Sequence, residues 1–304
     1  MAQAEMMMRR AILCAACLAV LAAGAGCDQD DGYNYPTDTS SDPSVDDGVT
    51  PPDVTTDPTE DPPPGDPTED PAADPPVEDG GGGDVDPPFG GTSGGTGGGP
   101  ANGETRTTAT GGITYRIIAP SGSGPFPVMI IYSGTEGGAT MTTNIQSIVG
   151  AGAAPGISGY IFGILDGVTY YGNGNAGAYV LDHIRGMYDV DNDRTYLLSE
   201  SAGTSAGLQL GLNLRQTYFA AYWANDVNAS GTPTLNASEI GFAPYGNAGP
   251  GGDWPDANAI VAGMEAAGYR CPPPAPYDGP GSGTHGHPDQ FVAALNWFPG
   301  KTRL

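Results

Sequence analysis

Arg194-Thr195-Tyr196-Leu197-Leu198-Ser199-Glu200-Ser201-Ala202-Gly203-Thr204-Ser205-Ala206-Gly207-Leu208 is the stretch from which the fold is read. A short apolar run ends in Ser-x-Ser-x-Gly, and small residues follow. That is the pattern of a strand turning sharply into a helix with a serine at the apex. Such a turn strains its central residue, and small neighbours two positions either side let the backbones pass. Ser201 then projects at the C-terminal edge of a sheet, beside the first amide of the following helix, that of Ala202.

These residues resemble the nucleophile elbow of the α/β-hydrolase family, with Ser199 where that family usually has glycine. The resemblance implies an α/β fold: a mostly parallel central sheet with helices on both faces. Other runs fit that plan. Gly112–Pro120 alternates and ends at proline, as a half-buried strand does. Pro127-Val128-Met129-Ile130-Ile131-Tyr132 is continuously apolar, as a central parallel strand covered on both faces would be. It empties into Ser133-Gly134-Thr135-Glu136-Gly137-Gly138. In an α/β-hydrolase this loop supplies part of the oxyanion hole, which implies the amide of Thr135 opposite that of Ala202. Tyr160–Asp166, Phe219–Ala224, Glu239–Gly246 and Tyr269–Tyr277 read as further strands. Ala176–Tyr188 reads as a helix, as does Asp256–Ala267 with Asp256 as its cap. Leu208, Leu210, Leu212 and Leu214 alternate, but the elbow context predicts a helix there.

The chain is uneven. Its net charge of −25 comes mostly from one segment: Cys27 to Glu104 holds twenty acidic residues and no Lys or Arg, among dense Pro, Gly and Thr. Too few apolar residues stand there to offset the entropy of ordering, so residues 27–104 read as a disordered linker. Asp57-Pro58-Thr59-Glu60-Asp61-Pro62 recurs as Asp66-Pro67-Thr68-Glu69-Asp70-Pro71, a low-complexity repeat suited to a stiff spacer. The folded domain is expected over 105–304, where charge is nearly balanced and a core can form. The acidity argues against a nucleic-acid partner.

Residues 1–26 read as an export signal: Arg9 and Arg10 precede an apolar run from Ala11 to Ala23, too short to span a membrane comfortably. Ala22-Ala23-Gly24-Ala25-Gly26-Cys27 followed by Asp28 resembles a bacterial lipoprotein signal, although Gly24 stands where that class prefers Leu. The resemblance implies a lipidated Cys27 as the sole membrane contact of an envelope-tethered protein. Ordinary cleavage after Ala25, giving a secreted protein, is the alternative. Cys271 is expected to be a free or buried thiol.

The chain has three histidines, and two stand near its end. Nucleophile, acid, late histidine is the α/β-hydrolase order. Gly283-Thr284-His285-Gly286-His287-Pro288, with Asp191–Gly207, resembles the polyhydroxybutyrate depolymerase and feruloyl-esterase-like branch. That implies a serine carboxylic-ester hydrolase: Ser201 as nucleophile, His285 as base with His287 as alternate, and no cofactor. The branch's usual Gly-x-Ala-Asp-Pro appears here as Gly246-Asn247-Ala248-Gly249-Pro250, so the expected aspartate is Gly249. Asp253 farther along that loop and Asp226 after the preceding strand are equal candidates for the acid. The missing aspartate also admits a non-catalytic surface-binding domain on the same scaffold.

Two metal readings compete. His285-Gly286-His287-Pro288-Asp289 looks like the H-x-H-x-D zinc motif of metallo-β-lactamase-type hydrolases. That fold needs histidines further along, and none follows. Asp189, Asp191, Asp193 and Glu200 mimic a calcium loop, but Arg194 sits where a glycine must turn. The substrate acyl and alcohol groups and the oligomeric state are not encoded in any motif.

Overall fold

In the computed structural model, residues 86–304 are described. The expected export signal, Cys27 and the linker as far as residue 85 lie outside the described residues. The fold is α/β-hydrolase. Seven strands form one sheet: β1 (Ala101–Thr107), β2 (Thr114–Ala119), β3 (Phe126–Tyr132), β4 (Ile161–Leu165), β5 (Val190–Glu200), β6 (Ala221–Asn225) and β7 (Tyr245–Ala248). Their spatial order is β1-β2-β4-β3-β5-β6-β7. β2 pairs antiparallel with β1 and with β4, and every pairing from β4 to β7 is parallel.

The parallel strands are apolar because both faces are covered. Val128 to Tyr132 in β3 and Tyr196 to Leu198 in β5 are fully buried. On one face pack α2 (Gly174–Met187), α3 (Thr204–Gln209, continued by a π turn at Leu210–Leu214) and α5 (Trp254–Ala266). On the other pack α1 (Gly137–Gly150) and α6 (Pro288–Trp297), whose Ile145, Ala294 and Leu295 meet Met129, Ile131 and Trp223. The alternating leucines after the elbow are therefore helical: Leu208, Leu210 and Leu212 are all buried, on a helix pressed against the middle of the sheet.

Several expectations change. The folded body begins before residue 105. β1 already contains Ala101–Glu104, and residues 86–95 run along the N-terminal edge of the sheet. The Gly90 amide donates to Asp193 Oδ2 (2.8 Å), and Ser93 N donates to Val190 O (2.9 Å). Arg303, 3% exposed, donates to the carbonyls of Pro87, Pro88 and Thr217 and to Asp193 Oδ1. Glycine and proline composition reads as disorder, but distant side chains satisfy this backbone. Glu239–Gly246 is not one strand. Asn236 and Glu239 form a capping box that starts the short helix α4 (Ala237–Ile240), and β7 follows it. Tyr269–Tyr277 supplies only a bridge from Arg270 to Tyr245, because Pro272, Pro273, Pro274 and Pro276 have no amide to donate. The cap of α5 is Asp253, whose side chain accepts from Asp256 N (3.2 Å); Asp256 lies within the first turn.

Candidate active site

The sequence-predicted site residues Thr135, Ser201 and Asp226 lie at the C-terminal ends of β3, β5 and β6, and the loop carrying His285 reaches the same edge. β5 ends at Glu200, and Ser201 opens the helix that follows at φ 48°. A left-handed residue with a side chain costs on the order of 1–3 kcal/mol and persists only where its surroundings hold it. Here they do. A Cβ on Gly203 would lie 2.6 Å from Tyr132 Cβ and 2.7 Å from Ser133 O. Ser199, in the place usually taken by glycine, fits because Gly207 faces it: a Cβ on Gly207 would stand 2.4 Å from Ser199 Cβ. Ser199 Oγ and Tyr222 Oη are 2.9 Å apart, so the extra hydroxyl is satisfied.

Ser201 Oγ lies 2.8 Å from His285 Nε2. The two residues are far apart in sequence, and this contact is the nucleophile–base geometry that serine chemistry requires. His287 does something else. It caps α6, its Nδ1 accepting from Asp289 N (3.2 Å). The two histidines of the zinc-like motif thus serve different partners. Among the described residues no group of three His, Cys, Asp or Glu side chains is arranged to hold a metal ion.

Of the two candidate acids, one is inside the site. Asp226 is fully buried at the end of β6 and, like Ser201, holds a positive φ, 47°. Aspartate tolerates that region better than most side chains. Its Oδ2 accepts from the Gly286 amide (2.6 Å), one residue past His285. Its Oδ1 accepts from Gln290 Nε2 (2.6 Å) in the first turn of α6. Among the described residues no hydrogen bond joins Asp226 to His285 Nδ1, so its hold on the base runs through the backbone of the histidine loop. Asp253 is occupied as the cap of α5.

The reason for Gly249 is spatial. A Cβ there would lie 2.5 Å from Asn225 Oδ1 and 2.9 Å from Gln290 Cδ and Nε2. The carboxylate position at the end of β7 is filled by these two amides, and a carboxylate stands instead at the end of β6.

The Ser133–Glu136 loop runs beside Ser201. A Cβ on Gly134 would stand 3.1 Å from Ser201 Cβ. Ala202 lies in the first turn of the helical segment at Ser201–Gly203, where amides have no acceptor within the helix. Thr135 sits in the turn that the Gly137 amide closes onto Gly134 O (3.2 Å). Asp166, at the end of β4, accepts from the amides of Gly138, Val168 and Thr169 and so ties this loop from behind. Its partial burial works against the charge, but those amides outweigh it and hold the carboxyl below its ordinary range.

Two acids in the site, Glu136 and Glu200, escaped the sequence reading or were read otherwise. Glu136, from the oxyanion-loop segment, accepts the Gly134 amide at Oε1 (2.9 Å). Burial, followed by weaker effects that include the charges of Asp166 and Asp226, pushes its carboxyl upward. Glu200, the residue before Ser201, is buried and accepts from Asn225 Nδ2 (2.8 Å). Its carboxyl is pushed well above the usual range, first by burial and then by Asp226 beside it. Asp226 itself was one of two candidates. Gln290 and Asn225, which organise this acidic group, carry no motif. Their one signal is adjacency to residues that do: Gln290 opens the helix after the histidine loop, and Asn225 precedes the strained aspartate.

No family model matches the chain, and no curated protein matches it. Among solved structures it is similar to a thermostable esterase, at 13% identity over 66% of this chain and 63% of that one, with a TM-score of 0.44. It is similar to a mutant feruloyl esterase module from Clostridium thermocellum complexed with sinapinate, at 13% identity over 54% and 72% of the two chains, TM-score 0.38. A glucuronoyl esterase from Teredinibacter turnerae is more distant, at 14% identity over 40% and 39%, TM-score 0.29. The chain thus spans about 63% of the length of the thermostable esterase. Its α/β-hydrolase architecture is defined by its own sheet order and elbow.

Proposed function

We propose that the domain is a serine hydrolase of carboxylic esters. The observation that carries this reading is the 2.8 Å contact of Ser201 Oγ with His285 Nε2 at a strained strand-to-helix turn. Ser201 Oγ attacks the ester carbonyl while its proton passes to His285 Nε2. The carbonyl electron pair moves onto oxygen, where the amides of Thr135 and Ala202 receive it; such donors are each worth about 3 kcal/mol. Collapse breaks the bond to the alkoxide, which takes the proton from His285 as it leaves. Water then attacks the acyl-enzyme by the same route, giving the free acid and Ser201 again. Asp226 positions the base by holding the loop that carries it.

The non-catalytic alternative drew its support from the absence of an aspartate at Gly249. Asp226 supplies a buried carboxyl to the same loop, which removes the need for one there. A fluorophosphonate probe, read by intact mass and peptide mapping, tests the reading. A single adduct on Ser201, lost in Ser201→Ala together with ester turnover, is expected. A folded domain that takes up no probe would leave the scaffold as a binding module.

A further inference from the structure

The loop after β3 brings to Ser201 a carboxyl group that nucleophile, base and acid do not account for. It belongs to Glu136. The residue is open to solvent, but its carboxyl turns back onto its own loop, where Oε1 accepts the Gly134 amide (2.9 Å). The other oxygen then crowds Gly134 from the side that faces the elbow. A Cβ on Gly134 would stand 2.5 Å from Glu136 Oε2 and 3.1 Å from Ser201 Cβ. The carboxyl oxygen and the Ser201 side chain thus flank one point and are no farther apart than those two distances together. The Glu136 carboxyl fills the room that a side chain at 134 would take, so the wall that this loop turns toward Ser201 is a carboxyl group.

No cation neutralises it. Among the described residues no lysine or arginine pairs with Glu136; arginines pair elsewhere, Arg194 with Asp191 and Arg303 with Asp193 among them. The other charges that act on Glu136, those of Asp166 and Asp226, have its own sign. Thr135, Glu136 and His285 are all exposed, so the mouth of the site is open to an incoming ester. An acyl group bonded to Ser201 Oγ has its first atoms within a few ångströms of Ser201 Cβ, and so within Coulomb range of Glu136.

We propose that Glu136 is a specificity-determining residue of the Ser201 site: its carboxylate favours esters whose acyl group is cationic or neutral near the carbonyl and rejects those whose acyl group is anionic there. The inference rests on the serine-hydrolase reading and names the charge class of its substrate. A carboxyl that served only to tie the Gly134 amide would shape the loop without discriminating by charge, and that difference separates the two roles.

The experiment uses two fluorophosphonates that differ only in a tail a few atoms from phosphorus, one ending in trimethylammonium and the other in sulfonate. Second-order rate constants for labelling of Ser201 are measured on the whole chain at about pH 8, and their ratio cancels any change in nucleophile, base or oxyanion hole common to both probes. Wild type should label at least about tenfold faster with the cationic probe. Glutamine at position 136 keeps an oxygen to accept the Gly134 amide but removes the charge, so Glu136→Gln should cut that preference at least about fivefold. Glu265→Gln, on the exposed face near the far end of α5, removes the same charge from the chain and should leave the ratio as in wild type. Salt gives a check that survives misfolding of a variant: raising the ionic strength from about 0.02 M to about 0.5 M should shrink the wild-type preference severalfold. A wild type with no preference or an anionic one, a preference that salt leaves intact, or one that Glu136→Gln retains or Glu265→Gln lowers equally would overturn the proposal. A wild type that neither probe labels would instead overturn the serine-hydrolase reading.

Discussion

Placing an aspartate at position 249, where the polyhydroxybutyrate depolymerase and feruloyl-esterase-like branch expects one, should damage this protein rather than improve it. A Cβ at Gly249 meets Asn225 Oδ1 at 2.5 Å and the Gln290 amide at 2.9 Å. Neither neighbour is free to swing aside. Asn225 accepts from Trp223 Nε1 (2.9 Å) and donates to Glu200 Oε2; Gln290 donates to Asp226 and accepts from the Gly251 amide (3.2 Å). Overpacking alone costs about 1–3 kcal/mol. Displacing either amide leaves a buried partner unsatisfied, for about 1–3 kcal/mol more. Gly249→Ala should therefore lose about 1–3 kcal/mol in urea unfolding, and Gly249→Asp about 2–6 kcal/mol, a large share of the 5–15 kcal/mol of a typical domain. The catalytic counterpart uses Asp226→Asn, which keeps the shape but removes the charge and should cut ester turnover by about a thousandfold. Adding Gly249→Asp in that background should restore none of it. Recovered turnover in the double variant, or a Gly249→Ala protein as stable as wild type, would refute the account of a displaced acid.

Two further substitutions probe the same edge. Gly207→Ala sets a methyl 2.4 Å from Ser199 Cβ and should cost about 1–3 kcal/mol; Ser199→Gly in the same chain should recover most of that, and strict additivity in a double-mutant cycle would contradict the packing described. Asp253→Ala removes the cap of α5 and should cost about 1 kcal/mol in thermal or urea unfolding while leaving kcat/KM within about twofold. A loss of turnover as large as that of Asp226→Asn would instead place Asp253 in the catalytic machinery.

Much of the fold is legible in the sequence because its signals are local. The apolar runs of β3 and β5 state their own burial. The elbow announces itself because a strained serine tolerates only small residues at 199, 203 and 207. The late pair of histidines is legible by chain order, although order alone leaves His285 and His287 open. What separates them is that His287 also precedes a helix beginning at Pro288, where a side chain facing the first free amides becomes a cap. The boundary at 105 fails for a different reason. Residues 86–100 lack a hydrophobic pattern of their own, and they are ordered by Arg303, Asp193 and Val190, which lie far away in the sequence.

The choice between Asp226 and Asp253 could not be made locally at all. Asp226 and Asp253 each follow a strand or its loop, and nothing within a few residues of either distinguishes them. What distinguishes them is occupancy: Asn225 and Gln290 fill the space beyond Gly249, Asp253 is taken up as the cap of α5, and Asp226 faces the loop that carries His285. Gln290 comes from the helix after the base, Asn225 from the strand before the acid, and Gly249 from the strand between them. The same two amides donate to Glu200 and to Asp226, so they close one position and anchor the carboxyls beside it. Gly249, Asn225, Asp226 and Gln290 therefore behave as a single substitution relative to the pattern that the sequence resembles. Changing one member leaves the other three mismatched, so an aspartate restored at position 249 has no partner set to receive it.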